Sequence, residues 1–183
     1  MSKTLHTWKR LASEIAYTSR IFSIRRDRAR FSRDGAEHEF QVLESTDWVN
    51  IIPITARDEV VLVRQFRHGI ADYTLEIPGG MVDPEDASPL VAARREMIEE
   101  SGYDSPRVEP LGSIRPNPAI QNNTCHSFVA YGVERLHIPS FDSSEETEVE
   151  LVPLVRIPDL IRNGDITHAL VVVAFHWLSL RCD

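Results

Sequence analysis

Three glutamates lie close together near the middle of the chain: Glu96, Glu99 and Glu100. On an α-helix, residues at this spacing share one face, so their carboxylates would form a patch about 6 Å across. Like charges at this distance weaken a helix by roughly 0.2–0.5 kcal/mol per pair. A divalent cation reverses that effect, and Mg²⁺ commonly binds one or two carboxylates together with substrate phosphates. The spacing therefore favours metal-dependent chemistry on a phosphorylated compound.

The neighbouring residues favour this interpretation over a simpler one, in which the glutamates form a solvated acidic face. The glutamates lie toward the C-terminus of the predicted helix, where the helix dipole disfavours anions. Arg95 adjoins Glu96 and can hold one carboxylate through a charge-assisted hydrogen bond. Upstream, Gly79 and Gly80 allow the backbone to approach a ligand closely.

The helix that must position the glutamates is marked at both ends. Ser88 is a preferred N-cap and Pro89 a preferred first helical residue, whereas Gly102 is typical of a helix end. Between these ends, three apolar residues recur at helical spacing: Leu90, Ala93 and Met97. We therefore expect a helix over residues 89–101 with one buried apolar face.

Segments rich in β-branched and aromatic residues predict a largely β context for this helix. The predicted strands are Tyr17–Phe31, His38–Leu43, Trp48–Ile54, Val60–Phe66, Tyr73–Ile77, Val108–Ile114, Cys125–Val133 and Glu148–Val155. Asp34-Gly35 predicts a hairpin between the first two. A short helix over Pro158–Arg162, closed by Gly164, and a final helix over Thr167–Leu180 are also expected. This order predicts an α+β fold or a mixed αβα sandwich.

Length and charge limit the class of protein. A chain of 183 residues suffices for one well-filled domain. Its formal charge of −8 argues against a nucleic-acid partner, because such proteins usually carry a basic stripe and a high pI. The charge does not argue against a phosphorylated small molecule, provided that a cation neutralises the site.

The sequence also predicts a cytoplasmic protein without a membrane partner. The first ten residues carry positive charge but no apolar stretch follows them, unlike a signal peptide. The longest apolar run, Ala169–Leu178, has about half of the roughly 20 residues that a membrane-spanning helix needs. Cys125 and Cys182 are the two cysteines, and this scarcity fits a reducing compartment.

The segment Arg95–Tyr103, with the sequence R-E-M-I-E-E-S-G-Y, resembles the second half of the Nudix box. That box reads G-x5-E-x7-R-E-U-x-E-E-x-G-U, where U is a bulky aliphatic residue. Its leading glycine falls on Gly80, and its first glutamate position is occupied by Asp86. The loop here is one residue longer than the pattern, with 14 residues between Gly80 and Arg95. The resemblance identifies the chain as a member of the Nudix hydrolase superfamily.

Two further stretches resemble the branch that hydrolyses ADP-ribose and nucleoside diphosphate sugars. Val63–Arg67 is similar to V-R-Q-Y-R, and Leu75–Gly80 is similar to L-E-x-P-A-G. The resemblance implies a Nudix fold, in which a mixed β-sheet lies between helices and an N-terminal antiparallel sheet precedes it. It implies that residues 1–45 form this N-terminal region, which serves dimerisation and nucleotide contacts, and that residues 46–183 form the catalytic domain. A homodimer is therefore expected.

The same resemblance implies a set of metal ligands and a catalytic base. Two or three Mg²⁺ ions, or Mn²⁺ in their place, are expected at a site formed by Glu96, Glu100, Glu99 and the backbone of Gly79. Related enzymes supply one more acidic residue from a loop before a late strand. The first candidate is Glu145 and the second Glu146, with Glu99 as a further catalytic candidate. A solvated acidic loop is the alternative for each loop residue.

Substrate contacts are predicted from residue type and from the family-like stretches. Arg64 and Arg67 are candidate phosphate ligands, because an arginine can bind phosphate through two parallel hydrogen bonds; surface salt bridges are their alternative. Phe22 and Trp48 are candidates for base stacking, although such aromatic residues more often belong to a core. The remaining candidates come from the resemblance: Glu76 and Pro118.

Three functions remain open at this stage. The first is Mg²⁺-dependent cleavage of a nucleoside diphosphate sugar, such as ADP-ribose or GDP-mannose, to a nucleoside monophosphate and a sugar phosphate. The second is hydrolysis of modified nucleoside triphosphates or dinucleoside polyphosphates. The third is a catalytically silent sensor that binds ADP-ribose-like ligands, which the intact helix glutamates disfavour.

Overall fold

A computed structural model describes residues 5–140 and 146–181. The chain divides into two compact units. The first contains the chain up to Thr46 together with Arg115–Asn123, and the second contains Asp47–Ile114 and the chain from Thr124 onward. A single boundary along the sequence does not capture this division, because a later segment joins the first unit.

The first unit contains a three-stranded antiparallel sheet in the order β1-β2-β3. Its strands are β1 (Trp8–Thr18), β2 (Ser23–Phe31) and β3 (Glu37–Glu44). The predicted hairpin joins β2 to β3, and Gly35 adopts a φ of 77° there. The prediction of one strand over Tyr17–Phe31 is wrong. The Ser19 side chain bonds the backbone of Phe22 in both directions and closes a turn between β1 and β2.

The second unit is built on a seven-stranded mixed sheet. Its strands are β4 (Trp48–Ile54), β5 (Glu59–Arg67), β6 (Asp72–Glu76), β7 (Gly79–Met81), β9 (Val108–Ile114), β10 (Cys125–Tyr131) and β12 (Thr147–Pro153). The main order is β12-β5-β4-β10-β9, while β6 pairs with β5 and β7 with β4. The β4–β10 pair is parallel and the others are antiparallel. A separate two-stranded pair is formed by β8 (Tyr103–Asp104) and β11 (Glu134–Arg135).

The described residues contain three α-helices, α1 (Pro89–Ser101), α2 (Ile157–Asn163) and α3 (Ala169–Ser179), and a 3-10 helix at Leu154–Arg156. Strand residues alternate between two apolar clusters. The cluster that contains α1 takes Val49, Ile51, Val61, Phe128 and Ala130 from the strands. The cluster that contains α2 and α3 takes Ile52, Ile54, Val60, Leu62 and Val129. Helices therefore lie on both faces of the mixed sheet, and the predicted α+β class with an N-terminal antiparallel sheet is confirmed.

Strands β4 and β5 form a hairpin that opens immediately after its turn. They pair only at Ile54 and Val60. Beyond that point β4 pairs with β7 and β5 pairs with β6. The segment from Glu76 to Gly79 crosses from β6 to β7, so the sheet is divided at this end. The functional residues described below surround this division.

The ends of α1 follow the predicted signals. The Ser88 hydroxyl accepts a hydrogen bond from the Val91 N–H, and Gly102 closes the helix with a φ of 74°. Gly164 likewise ends α2 with a φ of 82°. Within the described part of the chain, no helix combines the length and the apolar character needed to cross a bilayer.

Candidate active site

The Gly79–Gly80 segment packs directly against two glutamates of α1. The Gly79 N–H donates a hydrogen bond to Glu100 Oε2 at 3.1 Å. A Cβ atom added at Gly80 would lie 2.6 Å from Glu96 Cδ, so a side chain at this position would displace that carboxyl group. Glu100 is almost fully buried, with 6% of its surface exposed. Because neither glycine has a side chain, the backbone of this segment can lie directly against the carboxylates of Glu96 and Glu100.

Arg95 connects several carboxylates at the same place. Its Nη1 donates to Glu96 Oε1 and to Glu99 Oε2, both at 2.9 Å. Its Nη2 donates to Asp86 Oδ2 at 3.0 Å and to the Met81 carbonyl at 3.1 Å. The pKa of Arg95 is raised, chiefly by its hydrogen bond to Asp86. The predicted bond between Arg95 and Glu96 is therefore present, within a wider network.

Asp86 occupies the first glutamate position of the Nudix box and has a clear structural role. Its side chain is 6% exposed, and it bonds Arg95 through both carboxylate oxygens. The hydrogen bond from Arg95 holds the pKa of Asp86 below its usual value. Asp86 thus remains charged and ties the long loop to the helix. The sequence alone did not assign it this role, because the extra loop residue obscured its position.

The glutamates do not form a complete metal cage by themselves. Within residues 5–140 and 146–181, no group of three or more carboxylate, imidazole or thiol side chains is arranged to hold a metal ion. The candidate ligand atoms near Gly79 are nevertheless carboxylate and backbone carbonyl oxygens, which Mg²⁺ prefers. Mg²⁺ usually completes its coordination shell with water and substrate phosphates. The residues present therefore fit a cation that binds together with its substrate.

The candidate bases lie at two places. Glu99 projects from α1 with 42% of its side chain exposed and bonds Arg95. Glu146 is exposed and lies immediately before β12. The Thr147 hydroxyl donates to the backbone carbonyl of Glu100 at 2.6 Å, which fixes the start of β12 beside the end of α1. Glu145 lies outside the described residues.

A cavity of about 540 Å³ opens at the division of the sheet. Its walls come from the start of β4, the β5–β6 turn, β6, β7 and the segment before and within the first turn of α3. Four predicted site residues share this cavity, namely Trp48, Arg67, Glu76 and Gly79, and Gly80 lines it as well. Cavities of this size commonly bind small ligands.

Arg67 and Glu76 form a bidentate salt bridge in the wall of this cavity. The distances are 2.8 Å for Nε–Oε1 and 2.6 Å for Nη2–Oε2, and the Thr74 hydroxyl donates to Glu76 Oε1 at 2.5 Å. Glu76 is 2% exposed. Burial raises the pKa of Glu76, but the bonds from Arg67 and Thr74 and the nearby His168 outweigh burial, so the pKa is lowered overall. Glu76 therefore stays ionised at neutral pH.

Arg64 lies elsewhere, although it comes from the same stretch. Its Nη2 bonds Glu150 Oε2 on β12 at 3.1 Å, and both side chains are about half exposed. It does not line the cavity that contains Arg67. For Arg64 the geometry matches the alternative interpretation, a salt bridge on the surface.

Phe22 and Pro118 belong to the first unit, unlike the other candidates. Phe22 is half-buried, and its ring lies 6.1 Å from that of Tyr17. Pro118 is exposed in a turn. Within this unit, Phe22 follows the turn between β1 and β2, and Pro118 lies in a later turn.

Sequence reasoning missed several polar residues of the cavity, among them Asn50 and His168. Asn50 Oδ1 and His168 Nδ1 are buried atoms that have no hydrogen-bond partner within residues 5–140 and 146–181. An unsatisfied buried group costs about 1–3 kcal/mol, so such atoms need an explanation. For Asn50 the sequence does contain a signal, because it is a single amide within the otherwise apolar strand β4.

Comparison with known proteins agrees with this geometry. The family model described as NUDIX domain matches residues 44–172. GDP-mannose pyrophosphatase of Salmonella typhimurium is 30% identical over 189 aligned positions, which cover 98% of this chain and 97% of that protein. ADP-ribose pyrophosphatase of Mycobacterium tuberculosis is 23% identical over 168 positions, which cover 91% of this chain and 81% of that protein.

A solved structure is also similar over nearly the whole chain. It is described as an ADP compounds hydrolase and superposes with a TM-score of 0.85 at 26% sequence identity, covering 97% of this chain and 95% of that one. Nudix pyrophosphatases generally use divalent metal ions. Because the family match spans most of the chain and includes the helix with Glu96, Glu99 and Glu100, the chain belongs to the NUDIX family and is a pyrophosphohydrolase of that family.

Proposed function

We propose that this chain hydrolyses nucleoside diphosphate sugars of the ADP-ribose and GDP-mannose type in a Mg²⁺-dependent reaction. Water breaks one P–O bond of the pyrophosphate bridge, which yields a nucleoside monophosphate and a sugar phosphate. One observation carries the proposal: the Gly79–Gly80 wall of the cavity packs against Glu96 and Glu100 on α1. The names of the relatives support the substrate class.

The proposed metal site uses the carboxylates of α1 and the adjoining loop. Glu96 and Glu100 would be the main ligands of two or three Mg²⁺ or Mn²⁺ ions, with Glu99 and the Gly79 carbonyl oxygen as further donors. When bound, such ions neutralise phosphate charge and lower the pKa of the attacking water. Arg95 keeps Glu96 and Glu99 in place and offsets part of their mutual repulsion.

A carboxylate is proposed to accept the proton of the attacking water. Glu145 is the first candidate, followed by Glu146 and Glu99. The bond between Thr147 and the backbone of Glu100 supports Glu146, because it places the start of β12 beside the end of α1. A base must come within hydrogen-bond reach of the water or act through one further water.

Arg67, Glu76 and Trp48 are proposed to bind the substrate within the cavity. Glu76 orients the guanidinium group of Arg67, which would contact a phosphate oxygen. The Trp48 ring offers an apolar face to the base or the sugar. We leave Arg64 out of this set, because Glu150 binds it outside the cavity.

We further propose that the protein is a homodimer in which the first unit supplies Phe22 and Pro118 to nucleotide binding. The support lies in exposed large apolar side chains on β1 and β3. These are Trp8, Ile15, Tyr17 and Phe40, which are 40–54% exposed, and the rings of Trp8 and Phe40 lie 4.9 Å apart. Exposed apolar surface often marks a protein contact. Sedimentation equilibrium should give twice the 20.8 kDa chain mass; a monomer at micromolar concentration contradicts the proposal.

Substrate profiling tests the proposed activity. With Mg²⁺, GDP-mannose, ADP-ribose and UDP-glucose are compared with nucleoside triphosphates and dinucleoside polyphosphates. Release of a nucleoside monophosphate and a sugar phosphate supports the proposal. Equal or faster turnover of triphosphates contradicts it, and favours a role in removing modified nucleotides.

Glu100→Gln tests the metal site. The glutamine carbonyl can still accept the Gly79 N–H bond, so the free energy of unfolding should change by less than about 1 kcal/mol. Loss of the negative charge should lower kcat by about three orders of magnitude, because charge stabilisation at such a site contributes roughly 10²–10³-fold or more. The matched control is Glu134→Gln, an exposed glutamate on β11. Unchanged turnover of Glu100→Gln removes the metal assignment.

A further inference from the structure

The last turn of α1 is held by donors that come from outside the helix. A helix leaves its final four carbonyl oxygens without partners of their own, and two of those oxygens in α1 belong to Glu99 and Glu100. The Glu99 oxygen accepts from the Ser140 N–H at 2.9 Å, and the Glu100 oxygen accepts from the Thr147 hydroxyl at 2.6 Å. The turn that carries these glutamates is therefore attached to two other segments of the chain.

The two donors differ in how far they depend on the residue. Ser140 donates from its backbone, so almost any residue could replace it. Thr147 donates from its side chain, so the bond requires a hydroxyl at this position. Thr147 is half-buried at the first residue of β12 and pairs with Gln65 of β5. Its hydroxyl therefore links the backbone of Glu100 to the main sheet.

Glu100 is thus attached at both of its ends. Its carbonyl binds Thr147 on β12, whereas its carboxylate accepts the Gly79 N–H of β7 at 3.1 Å. Because two strands hold one residue, the position of the buried carboxylate depends on both attachments. The Thr147 hydroxyl also offsets part of the negative potential that the end of a helix exerts on nearby carboxylates.

We propose that Thr147 is a positioning residue for the metal-dependent reaction, because its hydroxyl keeps the carboxylate of Glu100 against Gly79, where it can bind a cation. This inference rests on the proposed function, since it assumes the metal role of Glu100. Outer partners that orient metal ligands commonly contribute 10–100-fold to metal affinity or activity. For one neutral hydrogen bond we expect the lower end of that range.

Hydrogen exchange in the protein without added metal tests the positioning directly. Thr147→Val keeps the shape of the side chain and removes the hydroxyl. Exchange of the Gly79 amide should become about tenfold faster, the size expected for one weakened hydrogen bond. The reference is the Ile51 amide, which donates to the Pro78 carbonyl at 2.9 Å and should stay within twofold. A general loss of stability would accelerate both amides.

The Mg²⁺ dependence of the activity is the second measurement. Thr147→Val should raise the Mg²⁺ concentration at half-maximal activity by about tenfold. Thr147→Ser retains the hydroxyl and should stay within threefold of the wild type in both measurements. If Thr147→Val does not fold, Thr147→Ala replaces it with the same expected changes.

Ser105→Ala is the matched control. The Ser105 hydroxyl donates to the Tyr131 carbonyl at 2.7 Å, so it also joins distant segments, and Ser105 is 2% exposed. Its removal should lower the free energy of unfolding at least as much as Thr147→Val does. The Mg²⁺ midpoint and the ratio of the Gly79 and Ile51 exchange rates should nevertheless match those of the wild type.

Three results would overturn the inference. They are an unchanged ratio of the two exchange rates in Thr147→Val, an unchanged Mg²⁺ midpoint in that variant, and a Thr147→Ser variant as impaired as Thr147→Val. Failure of the proposed function looks different. The wild type would then not hydrolyse nucleoside diphosphate sugars, although exchange at Gly79 would still depend on the Thr147 hydroxyl. Normal Mg²⁺-dependent hydrolysis without that dependence leaves the function intact and removes the role of Thr147.

Discussion

Two arginines hold carboxylates around the Gly79–Gly80 segment, and they do so differently. Arg95 bonds Asp86, Glu96 and Glu99 at once, and the exposed fractions of these carboxylates range from 6% to 42%. Arg67 bonds the carboxylate of Glu76, whose side chain is 3% exposed. The first network collects more negative charge than its arginine can neutralise, whereas the Arg67–Glu76 pair joins one positive charge to one negative charge.

This difference predicts that the carboxylates around Arg95 exchange partners when a cation binds, whereas the Arg67–Glu76 pair stays fixed. Excess carboxylate charge around Arg95 favours a bound cation, which would share or replace the arginine contacts. The Arg67–Glu76 pair has two short bonds and an additional donor, Thr74, so it forms a permanent part of the cavity wall. Changes near Arg95 should therefore affect catalysis first, and changes near Glu76 should affect stability first.

Adjacent glycines provide the strongest test of this contrast. Gly80→Ala places a methyl group against the Glu96 carboxyl group, which is the flexible end of a side chain. The carboxylate should move with little cost in stability, while kcat falls by about 10²-fold because a displacement near 1 Å costs that much at a reacting centre. Metal titrations of the activity should show a higher midpoint for Gly80→Ala.

Gly79→Ala is the matched variant, and it meets a different obstacle. Its methyl group would meet the Val49 carbonyl oxygen and would lie 2.9 Å from Asn50 Cα, so backbone must move. The free energy of unfolding should fall by about 1–3 kcal/mol, as for other overpacked positions. Thermal denaturation measures it. Equal stabilities of the two variants would contradict the distinction between a flexible neighbour at Gly80 and a rigid backbone neighbour at Gly79.

Glu76→Gln should break the fixed network and give an intermediate effect. We expect a loss of about 2 kcal/mol of stability at pH 7, less than for a fully buried pair because Arg67 is 42% exposed. Because the pKa of Glu76 is lowered by folding, its contribution is complete above the unfolded pKa of about 4.3 and is lost as pH falls through the folded value.

Urea denaturation at a series of pH values measures this effect. The stability difference between the wild type and Glu76→Gln should be largest near pH 7 and should shrink below about pH 4. Glu134→Gln again serves as the control and should show no such trend. A difference that is constant with pH would mean that the Glu76 charge does not contribute to stability.

Arg64→Ala should give the smallest effect. Its bond to Glu150 joins two half-exposed side chains, and such pairs contribute about 0–1 kcal/mol. The KM for substrate should stay within twofold of the wild type, whereas Arg67→Ala raises it by about tenfold or more. A large rise in KM for Arg64→Ala would indicate that Arg64 does bind the substrate.

The predictions that succeeded rest on signals that are contiguous in the sequence. Ser88, Pro89 and Gly102 specify the ends of α1 through contacts within a few residues, and the spacing of its glutamates gives their common helix. The cavity has no such signal, because Asn50, Glu76 and His168 come from three separate segments. Their proximity depends on where β4 and β5 diverge, a property of the whole sheet.

The two arginines of one stretch illustrate the same limit. Arg64 and Arg67 have the same chemistry and adjoin the same strand, so residue type cannot distinguish them. Three positions along an extended strand place their side chains on opposite faces. Only the pairing of β5 with β6 and β12 decides that Arg67 meets Glu76 and Arg64 meets Glu150.

The divergence of β4 and β5 also has a consequence for hydrogen exchange. Along its opened edge, β4 is covered by the three-residue strand β7 and by the bond from the Ile51 N–H to the Pro78 carbonyl. Detachment of β7 from β4 breaks few hydrogen bonds. The free energy of local opening of this segment should therefore lie at the low end for the domain. The His168 side is instead attached to α3, whose Val171 and Ala174 are core residues. Deuterium should therefore enter the glycine wall of the cavity first, and bound substrate should slow that entry.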